Sequence, residues 1–125
     1  MALSRKTVHG LIYHSPSRAW NGYTLFTPMK GSGTFLIDME GRFVHYWRLN
    51  LYPALYADLL PNGHLLYAGA VPGPPLKKFG GIGGKLIELD WDGNVVWEYE
   101  DRYMHHEFAR MENGNTMVLR WVETP

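Results

Sequence analysis

Apolar residues in this chain come in short runs separated by acidic-Gly or Asn-Gly pairs, and two such patterns recur. The first is Phe35-Leu36-Ile37-Asp38-Met39-Glu40-Gly41-Arg42-Phe43-Val44-His45-Tyr46-Trp47, which returns as Leu86-Ile87-Glu88-Leu89-Asp90-Trp91-Asp92-Gly93-Asn94-Val95-Val96-Trp97-Glu98-Tyr99. Gly41 and Gly93 lie 52 residues apart, and the same offset matches Asp38 to Asp90, Glu40 to Asp92 and Val44 to Val96. The second is Leu59-Leu60-Pro61-Asn62-Gly63-His64-Leu65-Leu66-Tyr67, which returns as Arg110-Met111-Glu112-Asn113-Gly114-Asn115-Thr116-Met117-Val118, 51 residues on. Neither pattern has the i, i+3, i+4 spacing of an amphipathic helix. Both read as β-hairpins, because such turn pairs adopt the positive φ that a tight hairpin demands. Turns are therefore expected at Glu40-Gly41, Asn62-Gly63, Asp92-Gly93 and Asn113-Gly114. Two hairpins in about fifty residues make a four-stranded antiparallel sheet, the unit of a β-propeller blade.

The fold expected is all-β: a lead-in over residues 1–19, then a partial β-propeller over 20–125 with repeats near 35–67 and 86–118. Propellers close with roughly four to eight blades. The 125 residues hold about two and a half, so the expectation is a fragment of a longer protein or a subunit completed by other copies. Self-association, or a partner chain that completes the propeller, follows from the same arithmetic. The segment 71–84, rich in Pro and Gly, reads as a surface loop, with a shorter counterpart at 28–33.

Composition narrows the partners. Twelve Lys+Arg against twelve Asp+Glu leave no net charge, which gives neither nucleic acid nor an anionic membrane the basic surface it would need. No apolar run approaches the ~18 residues of a membrane span. His9, His14 and Arg18 interrupt any signal-peptide core, and with no cysteine to point elsewhere the cytoplasm is the expected compartment.

Several motifs fail on spacing. Residues 79–86 lack the first Gly and the Ser/Thr of a phosphate loop, and Asp90-Trp91-Asp92-Gly93 places its Gly too early for a calcium loop. The Gly63-His64 and Trp91-Asp92 pairs do not sit as in WD40 repeats. Tyr103-Met104-His105-His106-Glu107-Phe108 carries more. It falls where the first strand of a new blade begins, a strand that lines the channel. Strand alternation turns His105 and His106 to opposite faces unless the backbone bends between them. One reading makes them a strand cap and a solvent-facing side chain, the other a pocket. No metal site is expected, since the His-Glu-x-x-His pattern ends in Arg110. Arg110 and Arg120 are candidates for holding an anion. Asn113 and Asn115 are assigned to the turn, His45 and Trp47 to a blade surface, and Trp91, Trp97 and Trp121 to packing between blades.

The wording of the repeats resembles the arylsulfotransferase (aryl-sulfate sulfotransferase) family. The resemblance rests on Leu60–Tyr67, Glu88–Tyr99, His105-His106-Glu107-Phe108 and Glu112–Leu119, and spans roughly residues 20–122. It implies a propeller of about six blades, of which this chain holds the N-terminal ones. It also implies transfer of a sulfuryl group from a phenolic sulfate ester to an acceptor phenol through a histidine, with no metal or cofactor. On that pattern the second His of His-His-Asp-Phe faces the channel, which maps onto His106, with Glu107 in the place of Asp. His106, His105 and Arg110 are then the candidate substrate-binding residues, and the ligand is a small aryl sulfate or phenol. The nucleophile is not assigned. Asp90-x-x-Gly93-x-x-x-Trp97 also resembles, in part, the tryptophan-docking repeat of quinoprotein dehydrogenases, as shared propeller packing. A non-catalytic propeller module that binds or completes another protein stands as the alternative.

Overall fold

The computed structural model describes residues 10–73, 81 and 83–125, with the side chain of Leu55 left aside. Residues 1–9, half of the lead-in, and most of the glycine-rich 74–82 loop lie outside the described residues.

Nine strands and no helix make up the regular structure of the described residues, and all strand pairs are antiparallel. No helix here is long and apolar enough to cross a membrane. Strands β1 (Thr24–Phe26), β2 (Gly33–Ile37) and β3 (Phe43–Arg48) form a first sheet in sequence order. A middle sheet follows from β4 (Tyr52–Leu59), β5 (Leu65–Ala70), β6 (Gly84–Leu89) and β7 (Val95–Glu100). The last sheet has two strands, β8 (Met104–Arg110) and β9 (Thr116–Arg120).

All four expected turns are present, and they share one geometry. Gly41, Gly63, Gly93 and Gly114 have φ of 75°, 83°, 86° and 85°. Each donates its N–H to the carbonyl three residues back: to Asp38, Leu60, Asp90 and Met111. These are three-residue hairpin loops, a type I turn followed by a left-handed Gly. The side chains that fix them also repeat. Asp38 Oδ1 accepts from the N–H of Arg42 as Asp90 Oδ1 does from Asn94, while Asn62 and Asn113 accept from the residue two further on. The assignment of Asn113 to the turn holds.

The middle sheet is covered on both faces, which explains why β5 reads as an unbroken apolar run rather than an alternating one. Leu65, Tyr67, Ile87 and Leu89 point to one side and pack with Leu36, Trp47 and Leu49 around the first sheet. Leu66, Ala68 and Leu86 point to the other and pack with Met104 and Phe108 of the last sheet. The tryptophans divide differently from expectation. Trp47 is 1% exposed, because the middle sheet covers its face, and its indole N–H donates to the Asp90 carbonyl at 2.9 Å. Trp91, Trp97 and Trp121 are instead half-exposed at 44%, 39% and 38%. Trp91 still packs across to the first sheet, its ring 4.1 Å from His45 and 5.3 Å from Trp47. Trp97 faces Arg110 of the last sheet at 5.4 Å, whereas Trp121 stacks on His105 of its own hairpin.

Candidate functional site

Strand β8 carries the candidate residues, and its two ends do different things. Near its start the ladder with β9 skips: His105 pairs with Leu119, but the next partner pair is Phe108 with Val118. His106 and Glu107 are the extra residues of a bulge, and His106 takes a left-handed backbone with φ of 57°. The bulge reverses the expectation that alternation separates the two histidines. It swings both imidazoles to one side, with Nδ1 of His105 and Nδ1 of His106 2.9 Å apart. Met104 and Phe108, on either side, keep their places in the core.

Three contacts hold the pair in place. His105 stacks on Trp121 with ring centroids 4.5 Å apart. The His106 N–H donates to the Gly81 carbonyl at 2.9 Å. The His106 ring lies where a side chain of residue 81 would start, since a Cβ there would overlap its ring atoms, so only Gly fits. Burial, and then the charge of His106, lower the pKa of His105 from its ordinary 6.5. The 2.9 Å separation fits one Nδ1–H donated from one ring to the other, since two Nδ1–H groups pointed at each other would repel. Two imidazoles held side by side offer both ring N–H donors and accepting or nucleophilic nitrogens.

The same bulge occurs earlier in the chain. In β4 the register slips between Pro53 and Ala57, and Ala57 lies 51 residues before Phe108. The device belongs to the repeat, and the histidines occupy its second copy. That recurrence, together with a positive φ that sequence patterns do not display, is why alternation misplaced His105.

Arg110 sits at the opposite end of β8 and does not join the histidines. Its guanidinium donates to Glu88 Oε2 at 2.7 Å and to Thr116 Oγ1 at 2.9 Å, and it lies 5.4 Å from the centre of the Trp97 ring. The other oxygen of Glu88 meets His64 Nδ1 at 2.8 Å. Glu88 is 7% exposed. Its burial alone would raise the carboxyl pKa, but the hydrogen bonds and charges of His64 and Arg110 outweigh it and lower the value from 4.5. Arg120, the other arginine candidate, pairs with Asp101 at 2.8 Å. Sequence reasoning missed the Glu88 cluster, although a signal existed: Glu88 takes the place that Leu36 holds 52 residues earlier. The described residues hold no group of three or more metal-ligating side chains.

Comparison with protein-family models, with curated proteins and with solved structures finds no match. The functional reading therefore rests on the chain's own geometry and on the resemblance in its repeats.

Proposed function

We propose that this chain is part of an arylsulfotransferase-like β-propeller, its three sheets being successive blades, and that His106 with His105 binds the sulfuryl group of a phenolic sulfate ester. One observation carries the site: the bulge that sets the two Nδ1 atoms 2.9 Å apart on a strand which, in a propeller, lines the channel. Sulfuryl transfer breaks the bond from sulfur to the phenolic oxygen and forms one to a histidine nitrogen. The acceptor phenol then takes the group from that histidine. Imidazole N–H groups aimed at the sulfuryl oxygens stabilise their charge as the ester bond breaks. Arg110 is committed to Glu88 and takes no part in this reading.

Titration of the chain with 4-nitrophenyl sulfate, followed through the imidazole proton resonances, tests the binding step. The resonances of His105 and His106 should shift together and saturably. A hydrogen bond to a charged oxygen is worth roughly 1.5–3 kcal/mol, so His106→Ala should weaken binding by about ten- to a hundred-fold. Unchanged resonances up to millimolar ester would reject the site.

The alternative, a module that associates with further sheets, draws on a separate observation. The outer face of the first sheet carries a row of rings, Phe26, Phe35, Phe43 and Tyr46, with Phe43 73% exposed. Exposed apolar faces of this kind favour association. Sedimentation at micromolar concentration should show species larger than 14.4 kDa, and Phe43→Lys should shift them towards the monomer.

A further inference from the structure

Three Asn-Gly pairs occur in the chain: Asn21-Gly22, Asn62-Gly63 and Asn113-Gly114. Such a pair is chemically vulnerable, because no side chain shields the glycine nitrogen from the carboxamide carbon of the asparagine. Closing a bond between those two atoms needs two freedoms. The asparagine side chain must swing towards the following nitrogen, and the glycine N–H must give up its proton. A hydrogen bond at either group opposes the step, since it has to break first.

The fold withholds both freedoms at two of the pairs. The Gly63 N–H donates to the Leu60 carbonyl at 2.9 Å, and Asn62 Oδ1 accepts from the His64 N–H at 3.0 Å. Gly114 and Asn113 repeat the arrangement, with the Met111 carbonyl at 2.9 Å and the Asn115 N–H at 3.0 Å. The third pair lies in no such turn. Asn21 and Gly22 belong to an irregular segment just ahead of β1, and Asn21 is exposed. Among the described residues, neither the Asn21 side chain nor the Gly22 N–H has a hydrogen-bond partner. The place of a Cβ at Gly22 is open space, so water reaches the reacting atoms.

We propose that Asn21 is a site of spontaneous deamidation and isoaspartate formation, which the hairpin turns deny to Asn62 and Asn113. The Gly22 nitrogen loses its proton to solvent base and bonds to Asn21 Cγ. The carboxamide nitrogen takes a proton from water and leaves as ammonia, which closes a cyclic imide. Water then adds to one of the two imide carbonyls and breaks its bond to nitrogen. Opening at one carbonyl leaves aspartate; opening at the other leaves isoaspartate, whose main chain runs through the side chain. Either product puts a carboxylate into a cleft that Asn21 lines together with Asp38, Glu40 and Arg42. A chain with no formal net charge thereby becomes acidic.

The test is incubation of the chain for days in mildly alkaline buffer, then acidic digestion and mass spectrometry that separates aspartate from isoaspartate. Deamidation at Asn21 should run about ten-fold or more faster than at Asn62 or Asn113, as expected when two hydrogen bonds must break before attack. In strong denaturant the three rates should come together, because the pairs share their sequence. Gly22 is outside the left-handed region and has room for a side chain, so Gly22→Val should fold and keep Asn21 intact. Isoelectric focusing should show an acidic form that Asn21→Asp reproduces and Asn21→Gln fails to develop. Equal rates at the three pairs in the folded chain overturn the proposal. A preference for Asn21 that persists undiminished in denaturant also overturns it, since sequence context and not the fold would then set the rate.

Discussion

Trp47 and Tyr99 occupy equivalent positions in the two copies of the outer hairpin, yet one is 1% exposed and the other 43%. Their neighbours differ in the same sense. Next to Trp47 stands Leu36, inside an apolar cluster, whereas next to Tyr99 the equivalent position is Glu88, held by His64 and Arg110. The first interface is covered by β6, and among the described residues no strand fills the equivalent place at the second. Equivalent backbones have thus been given different chemistry. Where a sheet face is fully covered, large apolar side chains stabilise it by about 1.5–3 kcal/mol each. Where the cover is partial, a carboxylate hydrogen-bonded to both His64 and Arg110 tolerates the water that remains.

The sharpest way to break this comparison is to truncate both members of the pair. Trp47→Ala removes a filled position and the indole hydrogen bond to Asp90, and should cost about 3–5 kcal/mol in chemical denaturation. Tyr99→Ala should cost less than about 1 kcal/mol, because its ring is already half in water. Similar losses at the two positions would mean that the second interface is as closed as the first.

Arg110→Met tests the polar half. It leaves Glu88 buried with only His64 as partner, and should destabilise the chain by about 1–3 kcal/mol at neutral pH. The paired Glu88 has a folded-state pKa below its unfolded 4.5. Its contribution is therefore complete above 4.5 and is lost as pH falls through the folded value. The deficit of the variant should shrink over the same range, since a protonated Glu88 no longer needs the arginine. A deficit that is constant with pH would assign the loss to packing on Trp97 instead.

The turns were fully legible in the sequence, because Asp38-x-x-Gly41 and Asp90-x-x-Gly93 encode a backbone conformation within four residues. So was the all-β class. The covering of the middle sheet was largely legible: β5 is apolar throughout, and Trp91 packs against the first sheet as its place in the repeat suggests, but that Trp91 and Trp97 stay 44% and 39% exposed was not. The bulge in β8 was not legible, since an extra residue changes the facing of side chains without changing their composition. The pairing of Arg110 with Glu88 joins positions 22 apart across two sheets, and only the register supplies it.

Twin turns give a smaller and cleaner contrast. Gly93 has open space around the place of a Cβ, so Gly93→Val should cost about 1–2 kcal/mol from its left-handed φ alone. At Gly41 a Cβ would also meet the Leu11 side chain at 2.8 Å. Gly41→Ala should therefore destabilise more than Gly93→Ala, and Leu11→Ala should remove most of that difference. Equal costs at the two glycines would mean that residues around Leu11 do not rest on this turn.

The two ends of β8 finally predict two losses of stability as pH falls, an upper one from His105 and a lower one from Glu88. The pKa of His105 in the folded chain lies below 6.5, first through burial and then through the charge of His106. The unfolded chain therefore binds the proton more readily, and stability falls as pH drops from about 6.5 through the folded value. This step precedes the loss at Glu88, which begins only near 4.5. His105→Gln should flatten the upper step and leave the lower one in place, whereas Arg110→Met should alter the lower and spare the upper. Denaturation midpoints measured at half-unit intervals between about pH 7.5 and 4 resolve the two. If His105→Gln left the upper step unchanged, the imidazole pair would not be the group that titrates there. The 2.9 Å contact between His105 and His106 would then play no part in acid stability.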